Sequence, residues 1–263
     1  MTAAISADDL ASMWEASGDA LHDPSYRRRH AAILAAAIGD TGRSIIDTAC
    51  GVGFPALDLV RMGFRRIVGA DADEGLLQRF DARLREAGAA VPLVRTSWQT
   101  IDRDVDSDFD VVLNVDASIG FMDSWGGRPM AEGEEAIFAR VRSVLGNFHR
   151  LTKPGGMLVI GLQKNNNKGN RAHTEHVGAR GPAGGPTARW EMSHDWVTRI
   201  KTWVNVLEVG GQEFRQTKTS YLFDKFELAR FLYDAGYDRV HELATPPDLY
   251  EDLLCARRDR CDG

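Results

Sequence analysis

In Ile45-Ile46-Asp47-Thr48-Ala49-Cys50-Gly51-Val52-Gly53-Phe54, a short apolar strand runs straight into Gly-x-Gly. The next stretch, Pro55 to Met62, is helical in pattern and stops at Gly63. Glycines in such a turn accept positive φ and let backbone N–H groups come close to a ligand beside a helix start. Twenty residues beyond Gly51, the strand Val68-Gly69-Ala70 ends in Asp71 and Ala72. A carboxylate there is placed to accept hydrogen bonds from a ribose hydroxyl pair. Gly51-x-Gly53-x-x-Ala56 also satisfies the dinucleotide fingerprint in its Gly/Ala form. The loop alone therefore admits two kinds of cofactor, or a tight turn with no ligand.

Outward from this loop, strand and helix signals alternate. Arg66–Ala70, Val91–Thr96, Phe109–Val115 and Met157–Leu162 read as further short buried strands. Asp73–Ala87 and Glu132–Leu151 read as helices between them. Strands separated by helices predict βαβ units and a doubly wound, mainly parallel α/β sheet. Residues 8 to 38 are helical in pattern, and Pro24 predicts two helices with a bend at His22-Asp23-Pro24. After Leu162 the pattern breaks. Gln163 to Pro186 is polar and rich in Asn and Gly and reads as a long loop. Trp196–Val209 and Gln212–Phe223 then read as two long strands joined at Gly210-Gly211, a hairpin signal. A helix over Lys225–Ala235 and strands near Tyr237–Ala244 and Leu249–Ala256 follow. The expected organisation is an N-terminal helical lid (1–38), a cofactor-binding core (39–162), an inserted antiparallel hairpin or small sheet (163–223), and a C-terminal segment (224–263) that completes a seven-stranded sheet.

Composition narrows the partners. The chain has 263 residues, 43% of them apolar, which is enough for a large packed core. Three cysteines make no disulfide framework, and no secretory signal is read in Met1 to Leu10, so the thiols are expected reduced and the setting cytoplasmic. No apolar run is long enough to span a membrane. The net charge is −6, and the short basic clusters Arg27-Arg28-Arg29-His30 and Arg257-Arg258 read as solvated helix faces. Neither a nucleic-acid nor a membrane partner is expected, while a homo-oligomer stays open. No metal is expected either. His173-x-x-His176 lacks a supporting ligand cluster, and His194 beside Asp195 reads as a solvated loop.

Three features separate the cofactor readings. Asp47 lies four residues before the first glycine, where an acid suits a cationic amino-acid group and would repel a pyrophosphate. Ser97-Trp98 follows the third strand, where an adenine ring can lie against an indole. Leu151-Thr152-Lys153-Pro154-Gly155-Gly156-Met157 introduces the fifth strand. In this order the motifs resemble the class I S-adenosylmethionine-dependent methyltransferases. The resemblance implies a Rossmann-like core that binds S-adenosyl-L-methionine and releases S-adenosyl-L-homocysteine. Asp47, Ala49, Gly51, Gly53, Asp71, Ala72, Ser97, Trp98 and Asn114 are then its cofactor-side residues.

The strand-four end, Asn114-Val115-Asp116-Ala117-Ser118, lacks the Pro-Pro-aromatic turn of members that methylate nucleobases or protein amides. A small-molecule methyl acceptor is therefore expected. Ser12-Met13-Trp14-Glu15, Tyr26-Arg27-Arg28, the cysteine-bearing glycine loop and Thr219-Ser220-Tyr221 are similar to the glycine N-methyltransferase and glycine/sarcosine methyltransferase group. That likeness implies cofactor contacts for Trp14 and Arg27, and acceptor contacts for Arg199 and Tyr221, while Phe121, in the stretch after strand four, is an expected acceptor contact by its place in the sheet. Where the group carries Asn and His after strand four, this chain has Asp116 and Gly120. An acid at 116 favours an amine or hydroxyl over a carboxylate, so Asp116 and Tyr221 are the expected catalytic pair. N-methylation is the first reading and O-methylation the second. An NAD-dependent dehydrogenase is the rival built on the same loop. The acceptor is expected beyond the end of strand four, facing the Arg199/Tyr221 hairpin.

Overall fold

The computed structural model describes residues 7–122, 134–164, 173–179, 187–209 and 212–259. They form two compact units, each assembled from separate stretches of chain.

The first, here the sheet unit, takes Arg27–Ile119, Glu132–Lys164 and Asp224–Gly263. Its strands are β1 (Ile45–Asp47), β2 (Ile67–Asp71), β3 (Leu93–Arg95), β4 (Phe109–Asn114), β5 (Thr152–Gln163), β10 (Arg239–Glu242) and β11 (Glu251–Arg257). They pair in the order β10-β11-β5-β4-β1-β2-β3, with β11 antiparallel to both neighbours and every other pair parallel. This is the expected seven-stranded, doubly wound sheet. Its helices are most of α2 (Pro24–Ile38), then α3 (Ala56–Arg61), α4 (Glu74–Glu86), α5 (Ile101–Asp104), α6 (Glu134–Leu151) and α7 (Lys225–Asp234). β1, β4 and the second half of β5 are buried throughout or nearly so, as strands covered on both faces must be. The Lys-Pro-Gly-Gly turn has a packing reason. A Cβ on Gly156 would lie 3.0 Å from the Asp110 carbonyl, and Lys153 Nζ donates to Ser44 Oγ at 3.1 Å.

Sheet order matters for function. The chain passes from β1 to β2 on one side, while β4 lies against the other side of β1. This reversal opens a crevice beyond the carboxyl ends of β1 and β4, where open α/β sheets bind ligands.

The antiparallel unit takes Met1–Tyr26, Gly120–Ala131 and Asn165–Phe223. It holds α1 (Ala7–Leu21) and a four-stranded sheet of β6 (His173–Ala179), β7 (Thr187–Asp195), β8 (Ile200–Val209) and β9 (Gln212–Tyr221), in that order. The helix break falls where Pro24 predicts it. Asp23 Oδ1 accepts from the N–H groups of Ser25 and Tyr26, capping α2 with proline in its first turn.

Two expectations are corrected here. The stretch expected as one loop contains β6, whose polar sequence pairs with β7 from His173↔His194 to Ala179↔Ala188. The strand expected from Trp196 begins at Ile200. Asp195 Oδ1 accepts from Val197 and Thr198 N–H, and Arg199 turns to φ 62°, so residues 196–199 are a turn joining β7 to β8. The Gly210-Gly211 turn itself lies outside the described residues. β8 and β9 nevertheless pair along their whole length, up to Val209↔Gln212.

Candidate active site

The sheet unit carries the glycine loop. Asp47 ends β1 and is 1% exposed. Its Oδ1 accepts from the Ala49 N–H at 3.3 Å. Its Oδ2 has no hydrogen-bond partner among the described residues. Burial pushes the Asp47 carboxyl up to about 8, against the pull of that backbone bond, and the nearby charges of Asp71 and Asp116 raise it further. On β4, one residue beyond the Leu113 that pairs with Asp47, Asn114 is fully buried. Thr48 Oγ1 donates to the Leu113 carbonyl, so it can only accept from Asn114, whose Nδ2 donates to it at 3.0 Å. That fixes the amide and leaves Asn114 Oδ1 as a second buried acceptor without a partner among the described residues. Each such acceptor costs about 1–3 kcal/mol. Two such acceptors, at the adjoining ends of β1 and β4, have the chemistry to receive a donor-rich, cationic ligand.

Asp71, at the end of β2, accepts from Gly51 N–H at 2.9 Å and Asp73 N–H at 2.9 Å. Burial raises its carboxyl above the usual range, opposed by these backbone bonds. An ionised carboxylate has about four acceptor positions, so capacity remains for a hydroxyl. Here the sequence reading needs refinement. The Gly51 N–H is spent on Asp71, and Gly53 is required by packing: at φ 106°, a Cβ there would lie 2.4 Å from the Phe80 ring. Trp98 Nε1 donates to the Thr48 carbonyl at 2.6 Å, which anchors the half-buried indole to the glycine loop. Ser97 Oγ lies 3.2 Å from Thr100 Oγ1. Ala49 and Ala72 enter through their backbones, as neighbours of the two acids. Cys50 is buried, its thiol is raised well above the usual range, and it packs beneath the loop.

Arg27 joins this loop. Its guanidinium lies 5.4 Å from the Phe54 ring centre and 3.8 Å from Asp58. The basic cluster around it is not a uniformly solvated face: His30 is fully buried. Asp116 and Ala117 follow β4 at φ 61° and 50°. His30, Ala117 and Glu251 form a buried cluster that the sequence did not reveal. Its members lie 221 residues apart at the widest and share no motif.

The antiparallel unit gathers the other residues. Trp14 packs edge-on to Phe121 at 5.8 Å, and Phe121 to Trp203 at 4.9 Å, with Met192 in the same cluster. Trp14, expected on the cofactor side, thus sits ring to ring with Phe121, expected on the acceptor side. Lys201 Nζ lies 4.7 Å from the Trp203 ring centre and 5.4 Å from Phe121, and Lys218 Nζ 4.8 Å from Trp14. Lys201 is buried, and desolvation lowers its ammonium to about 7. Arg199 and Tyr221 do come together: Arg199 Nε donates to Tyr221 Oη at 3.2 Å and stacks over Trp196 and Tyr221. His194 is buried within β7, not solvated. No group of three or more metal-ligating side chains occurs among the described residues. No helix among them is long and apolar enough to cross a membrane.

The sheet order, the acid-ended β1 and the glycine loop define the Rossmann-like fold of the class I S-adenosylmethionine-dependent methyltransferases. Residues 45–127 match the family described as a methyltransferase domain. It is similar to glycine N-methyltransferase of Oryctolagus cuniculus, 26% identical over 165 residues, or 61% of this chain and 52% of that enzyme. It therefore spans about half the length of that curated relative, and less of two bacterial glycine/sarcosine-type N-methyltransferases. In fold it is similar to an S-adenosylmethionine-bound amino pentose methyltransferase from Micromonospora echinaspora, with TM-score 0.67, 18% identity, and 94% and 96% of the two chains covered. A sugar N-methyltransferase from Streptoalloteichus is comparable, with TM-score 0.65, 19% identity, and 99% and 96% covered.

Proposed function

We propose that this chain binds S-adenosyl-L-methionine and methylates the nitrogen of a small-molecule amine. One observation carries the reading: the buried acceptors Asp47 Oδ2 and Asn114 Oδ1, at the adjoining ends of β1 and β4 and without partners among the described residues. They fit the α-ammonium of the cofactor's amino-acid end, and a dinucleotide pyrophosphate would be repelled there. Asp71 keeps acceptor capacity for the ribose hydroxyls, and the anchored Trp98 offers an indole face for the adenine. When bound, the cofactor supplies a methyl group on a cationic sulfur. The protein's part is to orient that group, neutralise the ammonium and exclude water.

The acceptor-side candidates are Asp116 in the sheet unit and, separately, Phe121, Arg199 and Tyr221 in the antiparallel unit. Asp116 attracts an amine, and the Arg199–Tyr221 pair presents a fixed hydroxyl and a guanidinium to polar groups of the acceptor. The activities of the relatives, on glycine and on sugars, support nitrogen as the atom methylated. Calorimetry tests the cofactor: S-adenosylhomocysteine should bind and NAD should not, and the reverse result would replace this reading with the dehydrogenase. Incubation with labelled S-adenosylmethionine and a panel of amino acids, amino sugars and phenols tests the acceptor. Label on phenols alone would move the assignment to O-methylation. Tyr221→Phe and Asp116→Asn should lower turnover on the amine while leaving S-adenosylhomocysteine affinity within about threefold.

A further inference from the structure

Glu251 opens β11 inside the sheet unit and is fully buried, although it is an acid. Both of its oxygens are engaged. Oε1 lies 2.5 Å from Nε2 of the equally buried His30 on α2, and Oε2 accepts from the Ala117 N–H at 2.8 Å. Space for the carboxylate exists only because residue 161, opposite on β5, is glycine: a Cβ there would lie 1.7 Å from Oε2. Four segments that are remote in sequence thus converge on one carboxylate.

What they hold is unusual. Asp116 and Ala117 are consecutive non-glycine residues at φ 61° and 50°. Side-chain crowding disfavours this conformation at each, so something outside the turn must impose it. The Ala117 N–H to Glu251 bond ties the turn to β11. The turn in turn points Asp116 so that its charge is felt at Asp47.

We propose that Glu251, buttressed by His30 and admitted by Gly161, is a positioning residue: it imposes the left-handed Asp116–Ala117 turn and so fixes the Asp116 carboxylate relative to Asp47. The part that concerns ligand affinity rests on the cofactor reading above; the part that concerns the turn does not.

Crystal structures of Glu251→Ala and Gly161→Ala without ligand test the turn. Residues 116–117 should leave the left-handed region in both, and a turn retained in both would overturn the proposal. Where Glu251→Ala does not fold, Gly161→Ala decides, since it displaces the carboxylate without deleting it. The second readout is S-adenosylhomocysteine affinity in a double-mutant cycle with Asp116→Asn. Glu251→Ala or Gly161→Ala should weaken binding in the wild-type background and much less in the Asp116→Asn background, a coupling of about twofold to threefold, the most that the Asp116 carboxylate contributes to this affinity. Glu251→Gln, which keeps the acceptor for Ala117, should stay close to wild type. An equal loss in both backgrounds, or a fall in melting temperature with unchanged affinity, would mean that Glu251 only stabilises the fold. If the wild-type protein binds no S-adenosylhomocysteine, the cofactor reading fails while the turn comparison still decides this one.

Discussion

Asp47 and Lys201 are shifted by the same force in opposite directions, since burial penalises whichever form is charged. With its carboxyl raised to about 8, Asp47 is largely protonated at neutral pH before ligand binds. An ammonium favours the ionised form, so binding should expel a proton. Cofactor affinity should therefore climb from pH 6 to about 8 and then level off. Calorimetry in two buffers of unlike ionisation enthalpy should show release approaching one proton at pH 7, and Asp47→Asn should flatten the profile. For Lys201 the sign runs the other way with respect to stability. Its folded value, about 7, lies below the ordinary 10.5, so between these values the unfolded chain binds more protons and stability rises with pH. Lys201→Met should stabilise the protein by an amount on the order of 4 kcal/mol at pH 6. The gain should shrink towards zero near pH 10, as urea denaturation at several pH values would show. Asp47, Asp71 and Trp98 were legible because each stands at a fixed spacing from the glycine loop. His30, Glu251 and Lys201 were not, because their roles depend on contacts between strands and helices far apart in the chain.

Among the elements, the glycine loop makes the sharpest forecast. Gly53 combines φ 106° with the Phe80 ring 2.4 Å from an added Cβ, whereas Gly51 at φ 48° has nothing within 4 Å. Gly51→Ala should cost about 1 kcal/mol for its backbone alone. Gly53→Ala should cost about 2–4 kcal/mol, because strain adds to the clash. Denaturant midpoints of the two variants would rank them, and equal losses would show that Phe80 gives way freely. The elements found from sequence are those whose pattern is reinforced by local chemistry. α4 has Asp73 accepting from Leu76 N–H at its start, and α7 has a full capping box between Asp224 and Glu227. β6 was missed because Val177 and Ala179 are its only apolar residues, too few to show the alternation of a half-buried strand. The 196–199 turn was missed because the period-2 pattern runs through it without a break.

Taken whole, the molecule couples ligand to stability by mass action. S-adenosylhomocysteine at a hundred times its Kd should stabilise the fold by about 2.7 kcal/mol, and NAD should leave the melting temperature unchanged. The architecture of the sheet unit was legible because strand and helix signals alternate. The division of the chain between two units was not, since α1 and α2 are neighbours in sequence yet fall largely on opposite sides of it. The position of β11 has a further consequence. It lies between β10 and β5, so the strand nearest the end of the described chain is an interior strand of the sheet. During synthesis β5 must wait with one edge bare until residues 251–257 leave the ribosome, and the acid that holds the Asp116–Ala117 turn arrives with them. A nascent chain stalled before Glu251 should have its glycine loop formed and an open sheet edge for chaperones to recognise.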